Sequence, residues 1–300
     1  MVNYTHPIVK GEKHRLTLPQ GTALVLEGGG TRGFYSAGVL EAFAERGIMF
    51  PYIIGVSAGA ANALSYISGQ RGRNRMIIEH YVGNHRYVSK RNMIRHGTMF
   101  GYDFIFETIP RKHIFWDMEN FEKTKTRLLT GVTDCATGEP KWFEKDDLKD
   151  GFSVTRASCS VPIIGKIMRF DGFELLDGGI SAPVPIERSV KDGNEFHVIV
   201  LTRNQGYLKP PFRFKWLLKL MYRKYPRLID AIMNRHEIYN SQIEMCERLE
   251  KEGRAIIIRP QNPLTVDTTS ADTTKLLALH DDGLKDGTEA LHRIKHILKI

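Results

Sequence analysis

A serine framed by two glycines, Gly55-Val56-Ser57-Ala58-Gly59, follows the apolar run Tyr52-Ile53-Ile54 and precedes the helix-forming stretch Ala60-Ala61-Asn62-Ala63-Leu64. That setting predicts a strand ending in a sharp, strained turn with Ser57 at its tip, where a hydroxyl becomes a nucleophile once a base takes its proton. Gly55 and Gly59 fit the reading because a side chain at either place would block the close approach of strand to helix. Taken alone, the pentapeptide is equally compatible with an ordinary Gly/Ser turn. A candidate base stands downstream in Phe173-Glu174-Leu175-Leu176-Asp177-Gly178-Gly179. Two short extended runs, 166–170 and 173–176, flank Asp171-Gly172, a hairpin signal, so Asp177 ends a strand and two glycines leave room beside it. A carboxylate there could accept the serine proton, return it to a leaving alcohol and then activate water. By itself, Asp177 also reads as the cap of a turn.

These two residues need a place for negative charge, and the chain offers one before the serine. Thr22-Ala23-Leu24-Val25-Leu26-Glu27 reads as a buried strand, Gly28-Gly29-Gly30-Thr31-Arg32-Gly33 follows, and a helical pattern runs from Phe34 to Arg46 with Val39, Leu40 and Phe43 on one face and Gly47 as its stop. Consecutive glycines let backbone amides converge, and the helix N-terminus adds partial positive charge, so the loop can hold an anion. Beside a nucleophilic serine that anion is the oxyanion of a tetrahedral intermediate. The loop also satisfies G-x-G-x-x-G, the dinucleotide-binding pattern. That fold wants an acidic residue where the second strand here ends in Gly55-Val56-Ser57, and the Gly-Lys-Ser/Thr ending of a P-loop is missing. A Ser-Asp-His α/β-hydrolase is the other rival, with His197, His236 or His280 completing the triad order. It needs several strands before its nucleophile, only one precedes Tyr52, and none of the three histidines has a distinctive local setting.

In this order and spacing, the three blocks resemble the signatures of the patatin-like phospholipases. The stretches 130–139, 156–162 and 183–185 are similar to family sequence as well, and the resemblance spans roughly residues 20 to 205. It implies a three-layer α/β sandwich with a mainly parallel central sheet, and a Ser-Asp dyad working without histidine. Ser57 would be the nucleophile and Asp177 the general base. Gly28, Gly29, Gly30, Arg32 and Gly33 would form the oxyanion hole, the amides around Gly29 and Gly30 foremost, with Arg32 holding the loop or balancing charge. The implied reaction is hydrolysis of a lipid acyl ester through an acyl-serine, without cofactor or metal.

Composition fits such an enzyme. Three irregularly spaced cysteines, Cys135, Cys159 and Cys246, are too few for a disulfide framework or a zinc site, and free thiols are expected. Residues 1–20 read as a mixed polar arm without a secretory apolar core, and no run is long enough to span a bilayer, which points to the cytoplasm. Residues 21–205 read as the catalytic core and 206–300 as a basic amphipathic segment and helical extension packed on the same domain. Within the net charge of +9, residues 71–96 carry seven bases against one acid and residues 209–235 eight against one. In the second segment Lys215, Trp216, Lys219 and Arg223 interleave base and apolar bulk between Pro210-Pro211 and a Pro226 stop. Three readings stay open for it: contact with anionic lipid on the inner membrane face, a helix packed on the core, or nucleic-acid binding, which no recognised module around it supports.

Residues 72–120, poor in periodicity, read as short helices and loops suited to covering a substrate. Strands are expected at 127–133, 141–143, 195–202 and 255–258, and a long helix through Leu228, Ile232, Tyr239, Ile243, Cys246 and Leu249. A final helix from about 274 to 298 keeps Leu276, Leu277, Leu291, Ile294 and Leu298 for the core, with Gly283 and Gly287 as expected breaks.

Overall fold

The computed structural model describes residues 9–10, 16–148 and 152–300, so most of the expected N-terminal arm lies outside the described residues. Eight strands form one sheet: β1 (Thr22–Leu26), β2 (Tyr52–Val56), β3 (Arg127–Asp134), β4 (Pro140–Glu144), β5 (Met168–Phe170), β6 (Phe173–Asp177), β7 (Phe196–Val200) and β8 (Ala255–Ile258). Their order is β8-β7-β1-β2-β3-β6-β5, with β4 paired on β3. The first five in that order run parallel, and β4, β5 and β6 add antiparallel pairings.

Both faces of the parallel strands are buried, which is why they read as unbroken apolar runs. Leu24, Leu26, Ile53, Leu128, Val198 and Ile256 pack on one face with α1 (Phe34–Glu45), α2 (Ala58–Ile67) and the last helix. Their alternates Ala23, Val25, Ile54, Leu129, Ile199 and Ile257 pack on the other with Tyr239, Cys246 and Leu249 of a long helix, Pro226–Lys251. Period-two alternation thus sorts side chains into two cores and makes a three-layer sandwich. Pro226 does more than stop the basic segment: it is the first residue of that long helix, where its missing N–H costs nothing.

The last helix, Thr273–Leu298, is unbroken, contrary to the expectation at Gly283 and Gly287. These glycines lie where it crosses α1. A Cβ on Gly283 would stand 2.1 Å from the Tyr35 carbonyl oxygen, and one on Gly287 2.9 Å from the Val39 Cα. From the other side a Cβ on Gly38 would meet the His280 carbonyl oxygen at 1.9 Å. Close packing, not a weak helix, accounts for the residue type.

Strand β3 organises the site. Its residues 129–133 give one edge to β4, so β2, opposite 127–131, and β6, opposite 132–134, must share the other edge. Strand β2 runs parallel to β3 and β6 antiparallel, so their C-terminal ends meet: Val56 pairs with Gly131, Asp177 with Val132. The chain leaves β2 into Ser57 at that junction.

Candidate active site

Ser57 holds φ 53 and ψ −128, a left-handed conformation that costs strain in a residue with a side chain, between β2 and α2. The turn closes only because its flanks lack Cβ atoms. One on Gly55 would lie 2.8 Å from the Ala60 nitrogen, and one on Gly59 2.7 Å from the Leu26 carbonyl oxygen. The Ser57 amide donates to Ser158 Oγ at 2.7 Å, and that hydroxyl donates to the Gly131 carbonyl at 2.6 Å. Ser158, at the end of the helix Ser153–Ser158, thereby ties the turn to β3.

The Ser57 hydroxyl donates to Oδ2 of Asp177 at 2.7 Å, and both residues are buried. The other carboxylate oxygen, Oδ1, accepts the Gly179 amide at 2.7 Å, which aims Oδ2 at the serine. The Asp177 backbone is held too, its carbonyl by Thr133 Oγ1 at 2.9 Å and its amide by the Ser160 carbonyl at 2.9 Å. Burial pushes the Asp177 carboxyl above the ordinary carboxylate value, while the Ser57 hydroxyl, the Arg235 charge and the Gly179 amide pull it back. Arg235, from the helix Pro226–Lys251, also donates through Nε to the Gly179 carbonyl. The Cys159 thiol beside Ser57 is pushed up by burial and the Asp177 charge and so stays protonated.

The glycine loop presses against this pair: a Cβ on Gly28 would stand 3.0 Å from the Ser57 Cβ. Gly30 takes φ 57 and opens a short 3-10 turn, Gly30–Gly33, leading into α1. Among the described residues no hydrogen bond takes up the Gly29 or Gly30 amide, whereas the Gly28 amide reaches the Pro183 carbonyl at 3.5 Å and that of Arg32 the Gly29 carbonyl at 3.2 Å. Gly33 admits Ala58, whose Cβ would be 2.5 Å from a Cβ there. The chain near 268 seats the loop. Thr31 donates its amide to the Thr268 carbonyl at 3.0 Å and its hydroxyl to that of Asp267 at 3.0 Å, and Arg32 Nη1 donates to Thr268 Oγ1. Behind the loop buried Glu27 accepts the Thr202 amide and faces the Arg32 charge; burial pushes Glu27 up and Arg32 down, each opposed by the other's charge.

A narrow cleft opens at Ser57. Its walls are largely apolar: Phe34 and Ala61 from α1 and α2, then Tyr87, Phe100, Tyr102, Ile105 and Phe106 from the expected covering region, and Val161. Neither Ser57 nor Asp177 hydrogen-bonds a histidine among the described residues. His197 is buried against Ser189, 3.1 Å away, and pushed down to about 4 by burial and the Arg254 charge. His236 Nδ1 lies 2.9 Å from the Met233 carbonyl, and buried His280 has Asp281 at 3.5 Å. Lys215, Trp216, Lys219 and Arg223 are all exposed at the surface. Ser158, Arg235 and Thr268 escaped the sequence reading. Ser158 lies in a stretch recognised as family-like without a role, and neither of the others carries any local signal.

A family model for patatin-like phospholipase matches residues 24–189, more than half of the chain. The chain belongs to the patatin-like phospholipase family. Membership supports lipid hydrolase activity. A second model, a domain of unknown function (DUF6363), matches residues 225–299. The uncharacterized protein YjjU of Escherichia coli K12 is 26% identical over 272 residues, 86% of this chain and 74% of its own length. An uncharacterized NTE family protein of Mycobacterium tuberculosis H37Rv is 26% identical over 171 residues, 55% of this chain, which spans 44% of that relative's length. The crystal structure of VipD from Legionella pneumophila matches with a TM-score of 0.46 and 16% identity over 95% of this chain and 72% of that one, too remote to carry a statement about the site. Among the described residues no helix is long and apolar enough to cross a membrane.

Proposed function

We propose that the chain is a serine lipid acyl hydrolase, phospholipase A or lysophospholipase in type, that cleaves acyl esters through a Ser57–Asp177 dyad. The observation that carries this reading is the 2.7 Å hydrogen bond from Ser57 Oγ to Asp177 Oδ2 at the foot of an apolar cleft. Oγ attacks the ester carbonyl carbon as its proton passes to Oδ2, and the carbonyl oxygen becomes an oxyanion. The Gly29 and Gly30 amides, which no hydrogen bond takes up among the described residues, would receive that charge, and such donors contribute about 2.7–4 kcal/mol each in hydrolases. Collapse breaks the ester C–O bond, and the leaving alcohol takes the proton from Asp177. The carboxylate then draws a proton from water, whose oxygen attacks the acyl-serine; the acyl–Oγ bond breaks, the fatty acid leaves, and Asp177 returns the proton to Ser57 Oγ.

An apolar cleft suits an acyl chain, which gains about 0.8 kcal/mol per buried methylene. Residues 21–205 are the catalytic core in this reading and 206–300 an extension on the same domain, whose Thr268 seats the oxyanion loop. Three free cysteines, Cys135 and Cys246 buried, fit a reducing cytoplasm. A fluorophosphonate probe, with peptide mapping of the adduct, tests the assignment. It is expected on Ser57 alone, together with fatty acid release from dispersed phospholipid. A folded protein that labels elsewhere, or not at all, would overturn it.

A further inference from the structure

The helix Lys215–Met221, here α3, is apolar on two sides. Leu218 and Tyr222 point inward and are buried in a cluster with Leu176, Ile180, Leu228 and Ile232. Trp216 and Leu220, one turn apart on the opposite side, are 66% and 72% exposed, and Phe214 and Met221, next to them along the chain, are exposed as well. A helix that merely packed on the core would turn polar groups outward there. Exposed bases surround these side chains: residues 213–224 hold Arg213, Lys215, Lys219, Arg223 and Lys224 and no acid. Among the described residues Arg213, Lys215, Lys219 and Arg223 form no ion pair.

We propose that α3 docks the protein on an anionic bilayer, seating Trp216 and Leu220 among the lipids while Lys215, Lys219 and Arg223 rest on the headgroups. Apolar bulk interleaved with cations is the composition of interfacial helices, and unpaired bases are complementary to a negative lipid surface. Nucleic acid would also attract the bases, but Leu220 and Met221 have no ring to stack on a base. The position suits a lipid hydrolase. The Tyr222 hydroxyl accepts the Ile163 amide at 2.8 Å, and Ile163 holds φ 72, a strained value for a β-branched residue. Two residues earlier, Val161 lines the cleft at Ser57, so the docking helix is fastened to the loop that walls the cleft.

Docking goes beyond the hydrolase reading, because it needs no turnover. The full chain carrying Ser57→Ala, which leaves vesicles intact, is sedimented with vesicles of equal parts phosphatidylglycerol and phosphatidylcholine, and with pure phosphatidylcholine. Binding is expected on the anionic vesicles and weak on the neutral ones. It should fall at least about tenfold on adding either Trp216→Ser with Leu220→Ser or Lys215→Glu with Lys219→Glu. All four side chains are exposed, and near-ultraviolet circular dichroism checks that each variant keeps its fold. Undiminished binding by either folded pair, equal binding to neutral vesicles, or tighter binding to RNA at equal phosphate would overturn the proposal.

Discussion

The Ser57–Asp177 junction and the crossing of α1 with the helix Thr273–Leu298 both bring backbone against backbone through glycine, yet they are built to fail differently. At the crossing Gly38 and Gly283 put main chain on main chain, with Cβ positions 1.9 and 2.1 Å from carbonyl oxygens, and a side chain at either forces the helices apart. At the junction the approaches are looser, with Cβ positions on Gly28, Gly55, Gly59 and Gly178 lying 3.0, 2.8, 2.7 and 2.2 Å from their nearest neighbours, and the space they open holds two polar groups. Removing those groups leaves the surrounding backbone hydrogen bonds in place. One region carries the fold, and the other holds the proposed dyad on it.

Ser57→Ala gives the largest expected change in rate. Hydrolysis should fall roughly 10⁴-fold or more, while the urea midpoint stays near that of the wild type. Gly283→Val is the opposite case: urea unfolding should show a loss of about 3 kcal/mol or more, with the rate per folded molecule, counted by fluorophosphonate titration, little changed. A stable Gly283→Val protein that is catalytically slow would break the separation between the two regions.

Arg235→Gln sharpens the electrostatics. The base must be ionised, so the rate climbs with pH through the raised pKa of Asp177 and then levels. Arg235 holds that pKa down, so its removal moves the acid limb of kcat/KM to higher pH, by up to about one unit. The stability linkage has the matching sign. A folded-state pKa raised by burial favours the folded protein while Asp177 is protonated, and this contribution is lost as pH rises through it. The smallest effect is expected from His236→Gln, less than about twofold in kcat/KM, since its ring meets the Met233 carbonyl and not the dyad. A large loss there would revive the triad.

The strand-glycine-helix units were legible because their parts are contiguous: a short buried run, a turn that admits only glycine, then a helix. The order Gly28–Gly33, Ser57, Asp177 carried the family for the same reason. What joins distant stretches left no such trace. Ser158 acts by bridging the Ser57 amide to Gly131, which depends on a helix lying over β3. Thr268 and Arg235 reach the site only after the C-terminal third folds back on it. Gly283 and Gly287 read as helix breaks because propensity is a local quantity, while their cause is α1, more than two hundred residues earlier. The basic segment stayed undecided between core packing and lipid because the helix Lys215–Met221 has an apolar inner side and an apolar outer side, and sequence cannot tell which is covered.

The most direct test is ester hydrolysis by Asp177→Asn, measured beside the wild type with circular dichroism and urea unfolding on the same samples. An amide cannot take the Ser57 proton, so the variant should lose hydrolysis to the extent that Ser57→Ala does, with its fold intact. A folded Asp177→Asn protein that hydrolyses esters at the wild-type rate would contradict the Ser57–Asp177 dyad.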